Sequence, residues 1–222
     1  MTYSVQVTNN SGASQYIAIF LANALGGNAF SLVWRVRGTN NGGSVSFDWD
    51  QTAVSLGWGN TSQPLDVNVL YTSGQPAVAV YPSNIGGLNV LPVQYNNYGF
   101  FSGTPYAKSG IYNQAEIITD SSFTVSDATN MSVALYMSEF PALALRGAPN
   151  TLYYFDMTQL SYYLTVTDFA QGVALPQMND PLGSRRLATS GTSMSTPVKI
   201  AFDQANTELK YTLNSNLNFV KV

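Results

Sequence analysis

The chain has 222 residues, 9% of them charged and 45% hydrophobic, with a formal net charge of −3. It holds no cysteine and no histidine, which excludes disulfides, thiolate chemistry, imidazole metal ligands and any Ser-His-Asp triad. Its nine Lys and Arg form no run longer than Arg185-Arg186, so neither a nucleic-acid nor an anionic-membrane footprint is present.

A chain of this length can bury a sizeable core. With so few charges, its polar surface must come from Asn, Gln, Ser, Thr, Gly and Tyr. Such a surface hydrogen-bonds readily and repels itself weakly, which favours copies of itself or neutral polymers such as glycans as partners.

Taken from the N-terminus, the first segment has no basic n-region, and its apolar stretch from Tyr16 to Leu25 is broken by Asn23. That stretch is too short to span a bilayer. The expectation is cytoplasmic synthesis without a signal peptide, any export following a signal-independent route, and no transmembrane segment. Val5–Thr8 and Val45–Trp49 alternate as strands, and the stops at Asn9-Asn10-Ser11-Gly12 and Asn40–Gly43 mark turns. Asn41-Gly42, between the Trp34 and Phe47 strands, is the sharpest hairpin signal. Trp34, Trp49 and Trp58 sit in alternating apolar runs and read as core anchors. Asp48 and Asp50 share the strand face opposite Phe47 and Trp49. They are weak metal or sugar-contact candidates, and without EF-hand-like spacing they read as a solvated face entering a turn at Gln51-Thr52.

Turn signals recur at Asn84–Gly87, Asn96-Asn97 and Gly147–Asn150. The segment 94–114 carries Tyr95, Tyr98, Phe101, Tyr106 and Tyr112 among Asn and Gly. Tyr and Asn on loops suit adaptable recognition, and aromatic faces suit sugar rings; the same pattern also fits a hairpin whose alternate aromatics fill a core. Gln114–Val125, including Ser122–Val125, reads as strand, as do Ser132–Tyr136, Tyr162–Val166, Val198–Phe202 and Lys210–Leu213. Pro141–Arg146 is the best helical candidate, stopped by Gly147. Asp156 and Asp168 follow strands and suit turn caps. Two carboxylates could hydrolyse a glycoside only at a defined separation, which spacing does not give.

Residues 177–197 lack strand character and read as one extended loop. It ends in SGTSMSTP, whose Gly191, Thr192, Ser193, Ser195 and Pro197 spell a subtilase nucleophile motif. Without a histidine that reading fails. The serine-carboxyl peptidase variant needs an acidic pair four apart on a helix, whereas Glu116 and Asp120 on a strand lie about 13 Å apart. The motif is therefore read as coincidental, no catalytic residue is assigned, and Ser190, Gly191, Thr192, Ser193 and Ser195 are expected at a subunit interface.

Several stretches resemble the RhiA-type rhizosphere-expressed proteins of bacteria: Ser31-Leu32-x-Trp34, Val45-x-Phe47-x-Trp49, Trp58, Gln63–Val69, Ser132-Val133-Ala134 to Pro149-Asn150, YYLTVTDFAQG from Tyr162, and Pro197–Phe219. The resemblance covers most of the chain and lies in strands and turns. It implies a bacterial β domain linked to population-density (quorum) signalling, and it carries no active site. The expected fold is all-β: one β-sandwich domain over 1–222, jelly-roll- or immunoglobulin-like, of roughly a dozen strands with paired termini. The leading functional expectation is a non-enzymatic, self-assembling structural protein without cofactor. The alternatives are a glycan-binding module using the 94–114 aromatics and an effector or membrane-active toxin.

Overall fold

The computed structural model describes residues 2–23, 29–176, 193–203 and 206–222, which form strands almost throughout. Eighteen strands are seen among them, in four sheets. The first sheet has the order β18 (Phe219–Lys221), β17 (Glu208–Leu213), β1 (Thr2–Asn9), β5 (Ser44–Asp50), so that both ends of the chain pair into it. The second runs β16 (Val198–Ile200), β15 (Leu160–Val166), β2 (Gln15–Asn23), β4 (Arg35–Thr39). The third runs β3 (Phe30–Ser31), β13 (Phe140–Arg146), β12 (Met131–Met137), β6 (Val54–Asn60), β7 (Thr72–Ser73), with β8 (Val78–Val80) also on β6. The fourth runs β10 (Gly99–Ser102), β9 (Val90–Asn96), β11 (Gln114–Thr119), β14 (Leu152–Asp156). Pairing is antiparallel except between β1 and β17 and between β9 and β11.

The all-β, sandwich-like expectation therefore holds, with more strands than the sequence suggests. The excess comes from two- and three-residue strands (β3, β7, β8, β16, β18), which are too short to show a period. One apolar cluster draws Val5, Phe47, Ile19, Leu164, Leu56, Leu135, Leu91 and Ile117 from all four sheets. Trp34, Trp49 and Trp58 are buried in it, as their alternation suggested.

Three local expectations are corrected. Pro141–Arg146 is strand β13, because Ala142, Leu143 and Ala144 are buried between β12 and β3. Ser122–Val125 is turn, because carboxylates capture the local backbone: Asp120 accepts from Ser122 N at 2.9 Å and Asp127 from Thr124 N at 2.8 Å. Asn41-Gly42 does turn, with Gly42 at φ 81°, yet its flanking strands pair apart, β4 on β2 and β5 on β1. What holds that turn is β1, whose Asn9 N–H donates to Gly43 C=O at 2.8 Å while Asn9 C=O accepts from Gly42 N at 2.6 Å.

Asn9 is fully buried, and its side chain is fully used. Nδ2 donates to Ala13 C=O at 2.8 Å and to Thr39 C=O at 3.1 Å, and Oδ1 accepts from Ser11 N at 3.0 Å. One amide thus ties the β1–β2 and β4–β5 connections together. Asn9→Ala removes two donors and one acceptor, leaving Ser11 N–H without its partner, and is expected to lower unfolding free energy by about 1–3 kcal/mol. An unchanged urea midpoint would show that water replaces these bonds without cost.

Candidate functional site

Where the first, second and third sheets meet the 81–84 loop, a cleft of about 830 Å³ opens. Its floor is aromatic. Tyr3 of β1, Tyr162 of β15 and Phe202 after β16 line it, with ring centroids 4.3 Å apart for Tyr3–Phe202 and 6.0 Å for Tyr162–Phe202. Trp49 lies behind them, 5.0 Å from Tyr162, and Trp34 stands edge-on to Trp49 at 5.3 Å. The lattice is anchored to the central strand β12, since Trp34 Nε1 donates to Met137 C=O at 2.9 Å. Such tilted and edge-to-face arrangements are the ones aromatic quadrupoles favour.

Around this floor stands a polar wall of Gln51, Ser83, Asn84, Asn113, Ser161 and Lys199. Among the described residues none takes up these six side chains in a hydrogen bond; Gln51, Ser83, Asn84 and Asn113 offer theirs from loops, whereas Ser161 and Lys199 alternate with Tyr162 and Ile200 and point to the other face of their sheet. Backbone bonds fix the loops that carry them: Asn113 N donates to Pro82 C=O at 2.9 Å and Asn113 C=O accepts from Met157 N at 2.8 Å. Asn113 holds a left-handed φ of 57°, a conformation Asn tolerates better than most side chains. A short 3-10 turn, η1 (Met157–Gln159), closes one side; it is capped by Asp156, whose carboxylate accepts from Thr158 N at 2.9 Å.

Tyr162 brings a hydroxyl to this floor. Its hydroxyl donates to Met137 Sδ at 3.2 Å, a weak acceptor, and burial pushes it up to about 12. Among the described lining residues Lys199 is the one that carries a charge, and there is no carboxylate.

The aromatics expected from the sequence divide between two places. Tyr112 is exposed and precedes the wall residue Asn113, and Tyr106 pairs its backbone with Val90. Tyr81, also exposed, lines the cleft and is linked to them through Tyr81 N–Leu88 C=O and Asn89 N–Tyr106 C=O. Tyr98 is 99% exposed at the β9–β10 turn. That turn stands at the other end of β9 from Tyr106, about 20 Å away by strand rise. Tyr95 and Phe101 are half-buried, Tyr95 lying edge-on to Phe100 at 4.9 Å.

The other candidates are also located. Asp50 accepts from Thr52 N at 2.9 Å and Thr52 Oγ1 at 2.8 Å, bonds that hold its carboxyl below the usual range, while Asp48 is exposed. No group of three metal-ligating residues occurs among the described residues. Glu116 is buried against Lys108 Nζ at 2.8 Å, and Asp120 beyond the strand end accepts from Gln94 Nε2 at 2.8 Å. Ser190, Gly191 and Thr192, and most of the 177–197 loop, lie outside the described residues. Ser193 Oγ donates to Asp168 at 2.6 Å, and Ser195 ties to β15 by Ser195 N–Val166 C=O at 2.8 Å and Val166 N–Ser195 Oγ at 2.9 Å.

Sequence reading missed Tyr3, Tyr162, Phe202, Asn84 and Asn113 as a set. Asn84 was visible as a turn signal and Asn113 lay within the 94–114 segment, but nothing in one dimension brings them to the same cleft. The class these features define is an all-β, sandwich-like protein with an aromatic-floored, amide-walled cleft. The RhiA family model matches residues 1–221. The chain belongs to the RhiA family. No curated protein and no solved structure matches it. Among the described residues no helix is long and apolar enough to cross a membrane.

Because Tyr162 holds its proton more tightly folded than unfolded, it stabilises the fold below pH 10 and loses that contribution as pH climbs to about 12. Tyr162→Phe is expected to change stability little at pH 8 and to recover roughly 1 kcal/mol at pH 11. Urea titrations at the two pH values test this; an identical alkaline loss in the variant would locate the effect in other tyrosines.

Proposed function

We propose that this protein is a non-enzymatic binding module for a neutral, hydroxyl-rich ligand, an oligosaccharide, held in the cleft. The carrying observation is the pairing of an aromatic floor (Tyr3, Tyr162, Phe202) with wall amides and hydroxyls that have no partner among the described residues. A sugar ring has one apolar face and a periphery of hydroxyls, so it needs a ring to lie on and donor-acceptor groups around its edge. Asn and Gln provide both polarities in one side chain. The exposed Tyr81, which lines the cleft, extends the platform beyond one ring, which suits several sugar units. A hydrolytic reading needs two carboxylates flanking the bond, and none stands among the described lining residues.

A panel of neutral gluco-, galacto-, manno- and xylo-oligosaccharides, screened on an array and titrated by calorimetry, tests the reading. Asn84→Ala and Asn113→Gly, the latter compatible with the positive φ, are each expected to weaken binding about three- to tenfold. Tyr98→Ala, remote from the cleft, is expected to leave affinity unchanged. Silence across the panel, or affinity lost in Tyr98→Ala and kept in the Asn variants, would reject the cleft as the site.

A further inference from the structure

We propose that strand β14 (Leu152–Asp156) is an interface between two copies of this chain, pairing antiparallel with itself about a two-fold axis at Tyr154. This proposal is independent of what the cleft binds.

Among the described residues β14 ends its sheet, with β11 on one side and no strand on the other. Open edges normally carry a charge, a proline or a bulge that discourages pairing. The longer edges β4 and β5 carry two charges each, Arg35 and Arg37 on β4 and Asp48 and Asp50 on β5, and the three-residue β16 and β18 carry Lys199 and Lys221. On β10 the Ser102 N–H is already taken by Gln75 Oε1 at 3.0 Å. β14 reads Leu-Tyr-Tyr-Phe before its terminal Asp156, and its Leu152 and Tyr154 side chains are 50% and 62% exposed.

Ladder parity shows which backbone groups face outward. Thr119 N donates to Thr151 C=O at one end of the β11–β14 pair, and Met157 N donates to Asn113 C=O at the other. Between them the register opposes Ile118 to Leu152, Ile117 to Tyr153, Glu116 to Tyr154, Ala115 to Phe155 and Gln114 to Asp156. Bonded and non-bonded pairs alternate in an antiparallel ladder. Tyr153 and Phe155 therefore bond to β11, while Leu152, Tyr154 and Asp156 turn their N–H groups to the open edge.

Those three positions are self-complementary. With the axis at Tyr154, each Tyr154 exchanges N–H and C=O bonds with its mate, and each Asp156 N–H meets the partner's Leu152 C=O. Asp156 then faces leucine, so no like charges meet. The two Tyr154 rings fall on one face as a cross-strand aromatic pair. A five-residue edge buries less than a standard interface, so the pairing is a weak, concentration-dependent dimer.

Sedimentation of the full chain from low micromolar to near-millimolar concentration tests the proposal, with hydrogen exchange measured at both ends of the range. The expected result is mass rising toward a dimer, with slower exchange of the Tyr154 and Asp156 amides at high concentration. Tyr154→Pro removes a donor the fold does not use and is expected to weaken association at least about tenfold. Tyr154→Lys opposes like charges across the axis and is expected to give monomer, while Tyr98→Lys changes nothing. Should either Tyr154 variant fail to fold, the exchange of wild-type amides decides alone. Monomer at every concentration, growth beyond a dimer, exchange at Tyr154 independent of concentration, or association unchanged in both Tyr154 variants would each overturn it.

Discussion

Seven consecutive residues of the central strand, Met131 to Met137, are withdrawn from water on both faces, and such a strand needs an apolar layer on each side. Met131, Val133, Leu135 and Met137 face the main core shared by the four sheets. Ala134 and Tyr136 face a second cluster, closed by Leu32, Leu65, Tyr71 and Ala174. Segments that look like loops in sequence become that second layer. Backbone bridges at Leu32–Ala174 and Leu70–Val173 hold 167–176 against 65–71, so their polar backbone is paired as it goes under cover. Of the two hydroxyls that β12 buries on that face, Tyr136 bonds Tyr71 at 2.9 Å and Ser73 at 2.6 Å, whereas Ser132 Oγ has no partner among the described residues.

The end of the same strand sets up the cleft. Met137 C=O receives the Trp34 indole, Trp34 braces Trp49, and Trp49 braces Tyr162, so the floor is positioned by the core and not by the loops around it. The wall, by contrast, stands on turns fixed by backbone bonds, with side chains left unpaired. A rigid aromatic base beneath free amides is how a site gains orientation without paying heavily in ordering entropy. The low charge of the chain supports the same economy, because amides and hydroxyls desolvate at less cost than ionic groups.

Much of the strand content was legible because alternation survives wherever one face is buried, as in Val5-Gln6-Val7 and Val45-Ser46-Phe47. It failed at β13, where Ala142, Leu143 and Ala144 are all buried and Pro-Ala-Leu-Ala-Leu shows no period of two. Ser122–Val125 failed for the opposite reason: its composition suits a strand, but Asp120 and Asp127 capture its N–H groups locally. The candidate site was least legible. Its floor joins Tyr3, Tyr162 and Phe202, and its wall joins Gln51, Asn84 and Asn113, separations that only the sheet pairings close. The aromatic segment 94–114 drew attention by density, yet the pleat sends Tyr95 toward the core and leaves Tyr98 and Tyr112 at different ends of its sheet.

The open edge and the cleft are also neighbours along the chain. Asp156 ends β14 and caps η1, and Met157 and Thr158 of that turn line the cleft. Antiparallel pairing about Tyr154 sends the two Asp156 ends in opposite directions, so the cleft walls of the two copies stand at opposite ends of one short ladder. A glycan long enough to reach both would bind the second cleft at an effective concentration set by that fixed spacing, and two weak contacts would act as one stronger one. Weak pairing is an advantage in such an arrangement. A dimer that forms only when copies are abundant, or are gathered on one polymer, makes avidity itself depend on how much protein and ligand are present.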